Sequence, residues 1–560
     1  MFIFEAVKLF TSVVSHILLS VRATFDPWNL VPFLRLSSCA SSLILLTYCY
    51  RCRRLITAAH AGLNEGLQHS EALRRDAVFV AFCVVLYPIN FFYFPLYYTD
   101  TLSTTSIVVM YYYTLRYAPR TDSSGPSVFD SVRLTVVCSG SVLMRQTNVI
   151  WVCFCLGISI IEVLLTHGVI KSRDNILGAL HGVFFRYPGR SLHVLFVNGT
   201  RLLTAEVEPS RGPGQGKSGG QPDPLATGLI YPFLLPILGF LLFIKLGNEG
   251  SIVLGDKSHH VATLHPANLC HCLTVLAAVI FCIEDCCGLY YICSARAPAA
   301  VADQDQPSKR PLLPRQWMRW TTGMLVSALA LQPAIYAALL SSALQPHPFL
   351  LADNRHYMFY LWKRLLSIDP WSFSDYSNRF ADIASATSHH WISRLGAEAQ
   401  FVISTLPHQK KLMALAVLYA TALSYLGHKC TKMYAGTDGF QRGRQGLLWV
   451  LIYLVAVCIT ILPVPLIELR YYSPAVVVGI LNCGTLLTWW NTSTSTSTNV
   501  NVNGGGNSGV GEPKASITGA ALFLVVCTTI NAATMYIFLY RPFVQPTGTA
   551  TESEMARFMF

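Results

Sequence analysis

Long apolar stretches recur along this chain and are separated by shorter segments rich in polar residues, glycine and proline. Most stretches are close to the ~20 residues that an α-helix needs to cross the hydrocarbon layer of a bilayer. The pattern therefore predicts an all-α polytopic membrane protein with about twelve transmembrane helices, forming a single membrane domain over residues 1–560. The stretches lie at 31–50, 77–97, 101–116, 148–167, 228–246, 265–283, 319–344, 411–427, 447–465, 474–490 and 517–540, with a shorter one at 133–145.

Composition indicates the same class of protein. Of the residues, 52% are hydrophobic and 12% are charged, whereas soluble domains carry about 25% charged residues. A net charge of +12 would suggest a nucleic-acid partner in a soluble protein. Here the cations are sorted by loop, so we expect the lipid bilayer as partner and no nucleic acid.

The loop charges predict an orientation. Alternate connections hold 20 Lys and Arg residues, and the turns between them, around Asp100, Arg145, Lys257 and Arg355, hold three. By the positive-inside rule, the basic set is cytosolic and the other set faces the lumen or exterior. The basic connections lie at 51–75, 114–133, 167–217 and 296–319.

Three longer connections are predicted as insertions. Residues 168–227 form a cytosolic loop with a Gly-rich insertion, and residues 369–410 form a lumenal insertion. Residues 491–515 are rich in Thr, Ser, Asn and Gly, which is typical of a low-complexity loop.

Five polar segments fall on the lumenal side of this topology. A charged side chain at membrane depth is costly and often marks a substrate path or a catalytic pocket. Together the segments supply cations for a phosphate, carboxylates for a proton, and amide and aromatic groups for sugar hydroxyls. Each could instead be an ordinary interfacial loop with internal Asp–Arg pairs, and a lone Arg145 could reach the headgroups. The segments are Tyr97–Asp100, Arg145–Asn148, Gly250–His260, His347–Tyr357 and Leu466–Tyr472.

At these segments the chain resembles the eukaryotic dolichyl-phosphate-glucose-dependent α-1,2-glucosyltransferases. The strings that carry the resemblance are Met144–Trp151, Gly250–His259, Leu351–Tyr357, Leu466–Tyr471 and the terminal Arg557–Phe560. The resemblance implies a multi-pass enzyme of the endoplasmic reticulum membrane with the GT-C architecture and a lumenal active site. It implies transfer of the third and last glucose from dolichyl-phosphate glucose to a diglucosylated dolichyl-diphosphate oligosaccharide, for protein N-glycosylation.

The resemblance also implies residue roles. A β-linked donor and an α-linked product indicate one displacement with inversion, in which a carboxylate deprotonates the acceptor 2-hydroxyl and cations stabilise the leaving phosphate. Asp353 and Asp100 are the candidate catalytic bases. Arg145, Lys257 and Arg355 are assigned to the donor phosphate, with His259 and His356 as further donors. Gln146, Asn148, Asn354 and Tyr357 are assigned to hydroxyls, and Asp256, Glu468 and Arg470 complete the substrate-binding set. No metal or other cofactor is required if Arg and Lys supply the charge.

One departure from the family pattern leaves alternatives open. Family members begin with a transmembrane helix and a lumenal loop carrying an Asp-Glu-Ile-Phe-His string, and this chain starts after that loop. We therefore expect weak transfer unless Asp353 or Asp100 is the base. The alternatives are an inactive or noncatalytic membrane subunit and a polyprenyl-phosphate or sugar transporter.

Overall fold

Helices dominate the computed structural model. It describes residues 27–61, 71–96, 98–117, 127–166, 230–248, 250–252, 264–284, 315–341, 413–430, 442–464, 468–482, 515–546 and 553–556. The helices are α1 (Pro27–Ala61), α2 (Glu71–Leu86), α3 (Pro88–Tyr93), α4 (Thr99–Arg116), α5 (Val128–Met144), α6 (Asn148–Thr166), α7 (Tyr231–Gly247), α8 (Pro266–Glu284), α9 (Arg315–Ser341), α10 (413–430), α11 (Arg442–Ile461), α12 (Ser473–Leu481) and α13 (Ala515–Tyr540). A 3₁₀ turn, Leu469–Tyr472, precedes α12.

Each of the twelve predicted apolar stretches overlaps a described helix, which confirms the helical class; of the stretch 474–490, residues 483–490 lie outside the described residues. One element departs from the all-α prediction. Strands β1 (Phe543–Pro546) and β2 (Ser553–Ala556) pair antiparallel, with Phe543 opposite Ala556. The predicted insertions 168–227, 369–410 and, up to residue 514, 491–515 lie outside the described residues.

The predicted stretch 77–97 is broken in two at Pro88. Proline has no N–H and its ring crowds the carbonyl four residues earlier, here that of Val84. Asn90 compensates, because its Nδ2 donates a hydrogen bond to Val84 O at 3.0 Å. From α13, Asn531 Nδ2 donates to the neighbouring Leu86 O at 2.9 Å. Two side-chain amides thus provide hydrogen-bond donors to the carbonyl groups at the end of α2.

The predicted loop 51–75 is wrong at both ends, because α1 continues to Ala61 and α2 begins at Glu71. Arg53, which the charge pattern placed in this loop, is fully buried. Its Nε lies 2.8 Å from Asp76 Oδ2, and its Nη1 donates to Leu481 O at 2.9 Å. A carboxylate and a helix-terminal carbonyl therefore compensate the burial of this charge and join α1, α2 and α12.

Hydroxyl and amide groups join α4, α5 and α6. Helix α5 begins with a capping box, in which Ser127 Oγ accepts from Asp130 N at 3.1 Å. At the other end of α5, the buried Asn148 side chain donates from Nδ2 to Ser141 O at 2.9 Å and to Ser103 Oγ at 2.8 Å. These bonds fix the tight turn between α5 and α6 against α4.

An aromatic core fills the centre of the bundle. Trp151 and Phe154 of α6 are almost fully buried, with ring centroids 5.5 Å apart. Trp449 and Tyr453 of α11 stack on each other with centroids 5.1 Å apart. The Tyr453 hydroxyl donates to Ala475 O at 2.7 Å, which ties this core to α12.

The outer helices expose apolar side chains. Among the described residues, Pro266–Ile283 and Phe523–Tyr540 combine the length and composition needed to cross a bilayer. Shorter apolar helices include Tyr231–Gly247 and Leu448–Ile461. Val525 and Leu241 are more than half exposed, which an aqueous surface tolerates only in small patches.

Close approach of α12 to its neighbours requires glycine at position 479. A Cβ atom there would lie 2.6 Å from Leu276 Cδ1 and 3.0 Å from the Tyr453 hydroxyl.

We expect Gly479→Val to lower the free energy of unfolding by about 1–3 kcal/mol through overpacking, measured as thermal stability in detergent. Gly140→Val is the matched control, because a Cβ there meets nothing within 4 Å. Equal stability of the two variants would contradict the close packing.

The hydrogen bonds of Asn148 generate a second prediction. Asn148→Ala leaves buried groups of Ser141 and Ser103 without their amide partner, so we expect a loss of about 1–3 kcal/mol of stability. Thr147→Ala, at the exposed neighbouring position in the same turn, should have little effect. Unchanged stability of Asn148→Ala together with a raised KM for a sugar substrate would favour direct substrate contact over this structural role.

Candidate functional site

A cluster of opposite charges lies at one end of the bundle, where three of the five polar segments meet. It contains Asp100, Arg145, Glu468 and Arg470. We call these four residues the charge cluster. The sequence separates its members by up to 370 positions, so the fold brings them together.

Local structure explains the position of each member. Asp100 lies in the first turn of α4, where the partial positive charge of a helix N-terminus favours a carboxylate. Arg145 is the extended residue that ends α5 and starts the tight turn. Glu468 and Arg470 lie at the start of the 3₁₀ turn that leads into α12.

The charge cluster consists of two ion pairs. Arg145 Nη2 lies 2.8 Å from Asp100 Oδ1, and the two side chains are 18% and 5% exposed. Arg470 Nε pairs with Glu468 Oε2, and both of these side chains are also largely buried. Because ion pairs with this little exposure are weakly screened by water, each depends strongly on its partner.

Tyrosine rings lie against both guanidinium groups. The Cζ atom of Arg145 is 5.1 Å from the centroid of the Tyr471 ring, and that of Arg470 is 5.3 Å from the same centroid. Arg470 Cζ is also 5.5 Å from the centroid of the Tyr98 ring. These distances are within the range of cation–π interactions.

Asp100 retains capacity to accept hydrogen bonds. Neither carboxylate oxygen receives a hydrogen bond of good geometry from another described side chain, and Arg145 makes a charge contact. Asp100 precedes the apolar stretch of α4, and burial raises its pKa above 3.8, although Arg145, Arg470 and, weakly, the backbone N–H of Asp100 itself oppose this shift. The carboxylate is therefore more basic than an exposed aspartate.

Arg470 remains charged in the cluster. Burial acts to lower its pKa, but the nearby Glu468, Tyr471 and Asp100 outweigh this effect, and the pKa is raised. The charge cluster thus combines a permanent cation with a basic carboxylate. Such a set can bind an oxyanion and accept a proton.

The remaining predicted site residues fall into two groups. Gln146 is half-buried in the turn beside Arg145, and the polar groups of Asn148 are engaged with Ser103 and Ser141. A sugar hydroxyl would have to displace one of these bonds to reach Asn148. The others lie outside the described residues: Asp256, Lys257, His259, Asp353, Asn354, Arg355, His356 and Tyr357.

The structure adds two tyrosines that are not predicted as site residues. Tyr98 and Tyr471 lie in the polar segments, whose aromatic groups are expected to bind sugar hydroxyls as a class, but neither tyrosine is selected from the sequence, because tyrosines are also common at bilayer interfaces. In the structure Tyr471 lies against the guanidinium groups, whereas the neighbouring Tyr472 is buried and its hydroxyl donates to Asn268 Oδ1 at 3.1 Å.

Comparison with known proteins gives related sequences of one kind. A protein of Drosophila melanogaster is 30% identical over 336 residues, and one of Arabidopsis thaliana is 24% identical over 499 residues. One of Yarrowia lipolytica is 28% identical over 292 residues. Each is named "Dol-P-Glc:Glc(2)Man(9)GlcNAc(2)-PP-Dol alpha-1,2-glucosyltransferase".

These matches cover different shares of the proteins. They include 59%, 84% and 52% of this chain, and 58%, 74% and 44% of the respective relatives. The chain thus spans about half the length of two of these three relatives. No solved structure matches the chain.

The model of the DIE2/ALG10 family matches residues 9–480. This range includes all three polar segments that form the charge cluster. The match extends over most of the chain, and the chain belongs to the DIE2/ALG10 family.

Proposed function

We propose that this protein transfers glucose from dolichyl-phosphate glucose to the diglucosylated dolichyl-diphosphate oligosaccharide, forming the terminal α-1,2 linkage used in protein N-glycosylation. The names of the relatives indicate this reaction. The observation that carries the proposal for this chain is the charge cluster, in which three distant segments supply two arginines and two carboxylates. A phosphate-linked donor requires the cations, and an acceptor hydroxyl requires a carboxylate.

We further propose a GT-C enzyme with about twelve transmembrane helices in the endoplasmic reticulum membrane, with the charge cluster facing the lumen. Two helices with the length and composition of spans, and exposed apolar residues on other helices, support the membrane setting. The loop charges support the orientation, because Arg116 lies at the opposite end of α4 from Asp100, and Arg51 lies near that same end, with its Cζ 5.9 Å from the centroid of the Tyr112 ring.

The proposed chemistry is one in-line displacement. The acceptor 2-hydroxyl oxygen forms a bond to the anomeric carbon while the bond from that carbon to the phosphate oxygen breaks. The hydroxyl proton passes to a carboxylate, and dolichyl phosphate leaves with the bonding electron pair. Inversion converts the β-linked donor into the α-linked product.

Arg145 is the proposed contact of the leaving phosphate. A guanidinium can bind two phosphate oxygens at once. This contact stabilises the leaving group more strongly as negative charge grows on it in the transition state. In the structure Arg145 Nη2 lies 2.8 Å from Asp100 Oδ1. A donor phosphate can take the place of this carboxylate as the anionic partner of Arg145. Because arginines can supply this charge, the proposal includes no metal ion or organic cofactor.

Asp100 is the candidate base among the described residues. Its buried carboxylate has oxygen atoms without side-chain hydrogen-bond donors of good geometry, and a raised pKa. When Arg145 turns to the donor phosphate, Asp100 loses one of the two cations that oppose proton uptake, the other being Arg470. Asp353 remains the second candidate.

Arg145→Ala tests the phosphate contact in a strain that lacks its own terminal glucosyltransferase. We expect the unsubstituted chain to restore triglucosylated lipid-linked oligosaccharide, and the variant to accumulate the diglucosylated form. The rate should fall on the order of a hundredfold or more, because a charge-assisted contact to a developing anion is lost. Arg51→Ala, which alters an exposed arginine at the other end of the bundle, is the control and should retain activity.

Two outcomes would contradict the proposal. If the unsubstituted chain inserts but does not restore the triglucosylated product, the proposed reaction is wrong. If that chain is active and Arg145→Ala is equally active, the reaction stands and the assignment of Arg145 fails.

The raised pKa of Asp100 predicts a pH dependence. A base acts only when deprotonated, so the single-turnover rate should be full above this pKa and should fall as the pH drops through it. The fall of the rate at low pH is the acidic limb of the pH profile. Asp100→Asn should lower the rate by roughly 10²- to 10⁴-fold and remove this limb. Asp130→Asn, near the opposite end of the bundle, should keep the limb. If Asp353→Asn removes the limb and Asp100→Asn does not, Asp353 is the base.

A further inference from the structure

The ring of Tyr471 is shared by two cations. Arg145 reaches it from the turn between α5 and α6, and Arg470 reaches it from the preceding position in the 3₁₀ turn. Both Cζ atoms lie within 5.3 Å of the ring centroid. The two guanidinium groups are therefore at most about 10 Å apart, with an aromatic face in contact with each.

Like charges held this close repel each other, and the protein offsets the repulsion in two ways. Asp100 and Glu468 each pair with one arginine. The negative face of the Tyr471 ring attracts both guanidinium groups. If a substrate anion displaces the carboxylates, the contact of both arginines with the Tyr471 ring remains, together with the contact of Arg470 with the Tyr98 ring.

The geometry assigns Tyr471 as a positioning residue, and we infer that it holds Arg145 and Arg470 as a paired site for one phosphate-linked substrate. This inference rests on the proposed function and deepens it, because it adds Arg470 to the phosphate site. Its ligand is the phosphodiester anion of a polyprenyl-phosphate sugar. Tyr471 itself is not required to contact that anion.

A purely structural role for Tyr471 makes different predictions. The neighbouring Tyr472 has such a role, because it is 1% exposed and its hydroxyl donates to Asn268 Oδ1 at 3.1 Å. Loss of that bond in Tyr472→Phe should lower the melting temperature without a change in donor KM. Tyr472→Phe is therefore the matched control for Tyr471.

The test measures donor KM and kcat in the full chain for Tyr471→Phe and Tyr471→Leu. Phenylalanine keeps the ring face, so donor KM should stay within about threefold of the original value. Leucine removes the face, so donor KM should rise about tenfold or more while kcat changes less. Tyr471→Met replaces the leucine variant if the latter does not fold, because methionine is apolar and of similar length.

A double-mutant cycle tests whether Tyr471 acts through its partner. With Arg470→Gln already present, Tyr471→Leu should raise donor KM by clearly less than it does alone, because one of its two cations is gone. Additive effects would overturn the inference. Equal loss in Tyr471→Phe and Tyr471→Leu, or an unchanged KM in Tyr471→Leu, would overturn it too.

Binding of dolichyl phosphate separates this inference from the proposed function. The unsubstituted chain should bind this probe, Tyr471→Leu should bind it about tenfold or more weakly, and Tyr471→Phe should bind it normally. If the chain does not transfer glucose but this order of affinities holds, the proposed function fails and the paired arginine site stands. If transfer is normal and the three affinities are equal, Tyr471 has no positioning role.

Discussion

The amide group of Asn148 is the interaction on which the geometry of the site depends. It bonds to Ser141 of α5 and Ser103 of α4 from the first residue of α6, so three helices meet at one side chain. In a low-dielectric interior these bonds are strong, and leaving them unmade is costly. The turn that carries Arg145 is thereby held opposite Asp100, and the ion pair follows from the backbone position.

Polar contacts and close packing recur elsewhere in the bundle for the same reason. In the bilayer setting proposed above, helices gain little from removing apolar surface from lipid, so hydrogen bonds and small residues contribute much of the association. Arg53 joins α1, α2 and α12 through Asp76 and the Leu481 carbonyl. Gly479 lets α12 approach α8 and α11. Since the residues just before α12 complete the charge cluster, these distant contacts also position Arg470.

The sequence predicted the helices better than the contacts between them. Hydrophobic runs depend on local composition, so each predicted stretch has a described helix. The rule that places cations in loops failed at Arg53, because a carboxylate 23 positions later compensates its burial. Asp100 and Arg145 were selected by type, but their pairing and the arginine contacts of Tyr471 depend on tertiary packing that no local pattern encodes. The predicted roles of Lys257 and Arg355 stay predictions.

The balance of charge in the cluster constrains how it can work. Two arginines and two carboxylates sum to zero, so the charge cluster without substrate carries no net charge, and each guanidinium is paired with a carboxylate at low exposure. An arriving phosphate adds negative charge, and it can be accommodated if an arginine exchanges its carboxylate for the phosphate. The carboxylate released by that exchange is then a stronger base, because its cation has moved away. In the proposed reaction, binding of the donor and activation of the acceptor are coupled through Arg145, and the inferred role of Tyr471 is to keep the arginines in place while their anionic partners change.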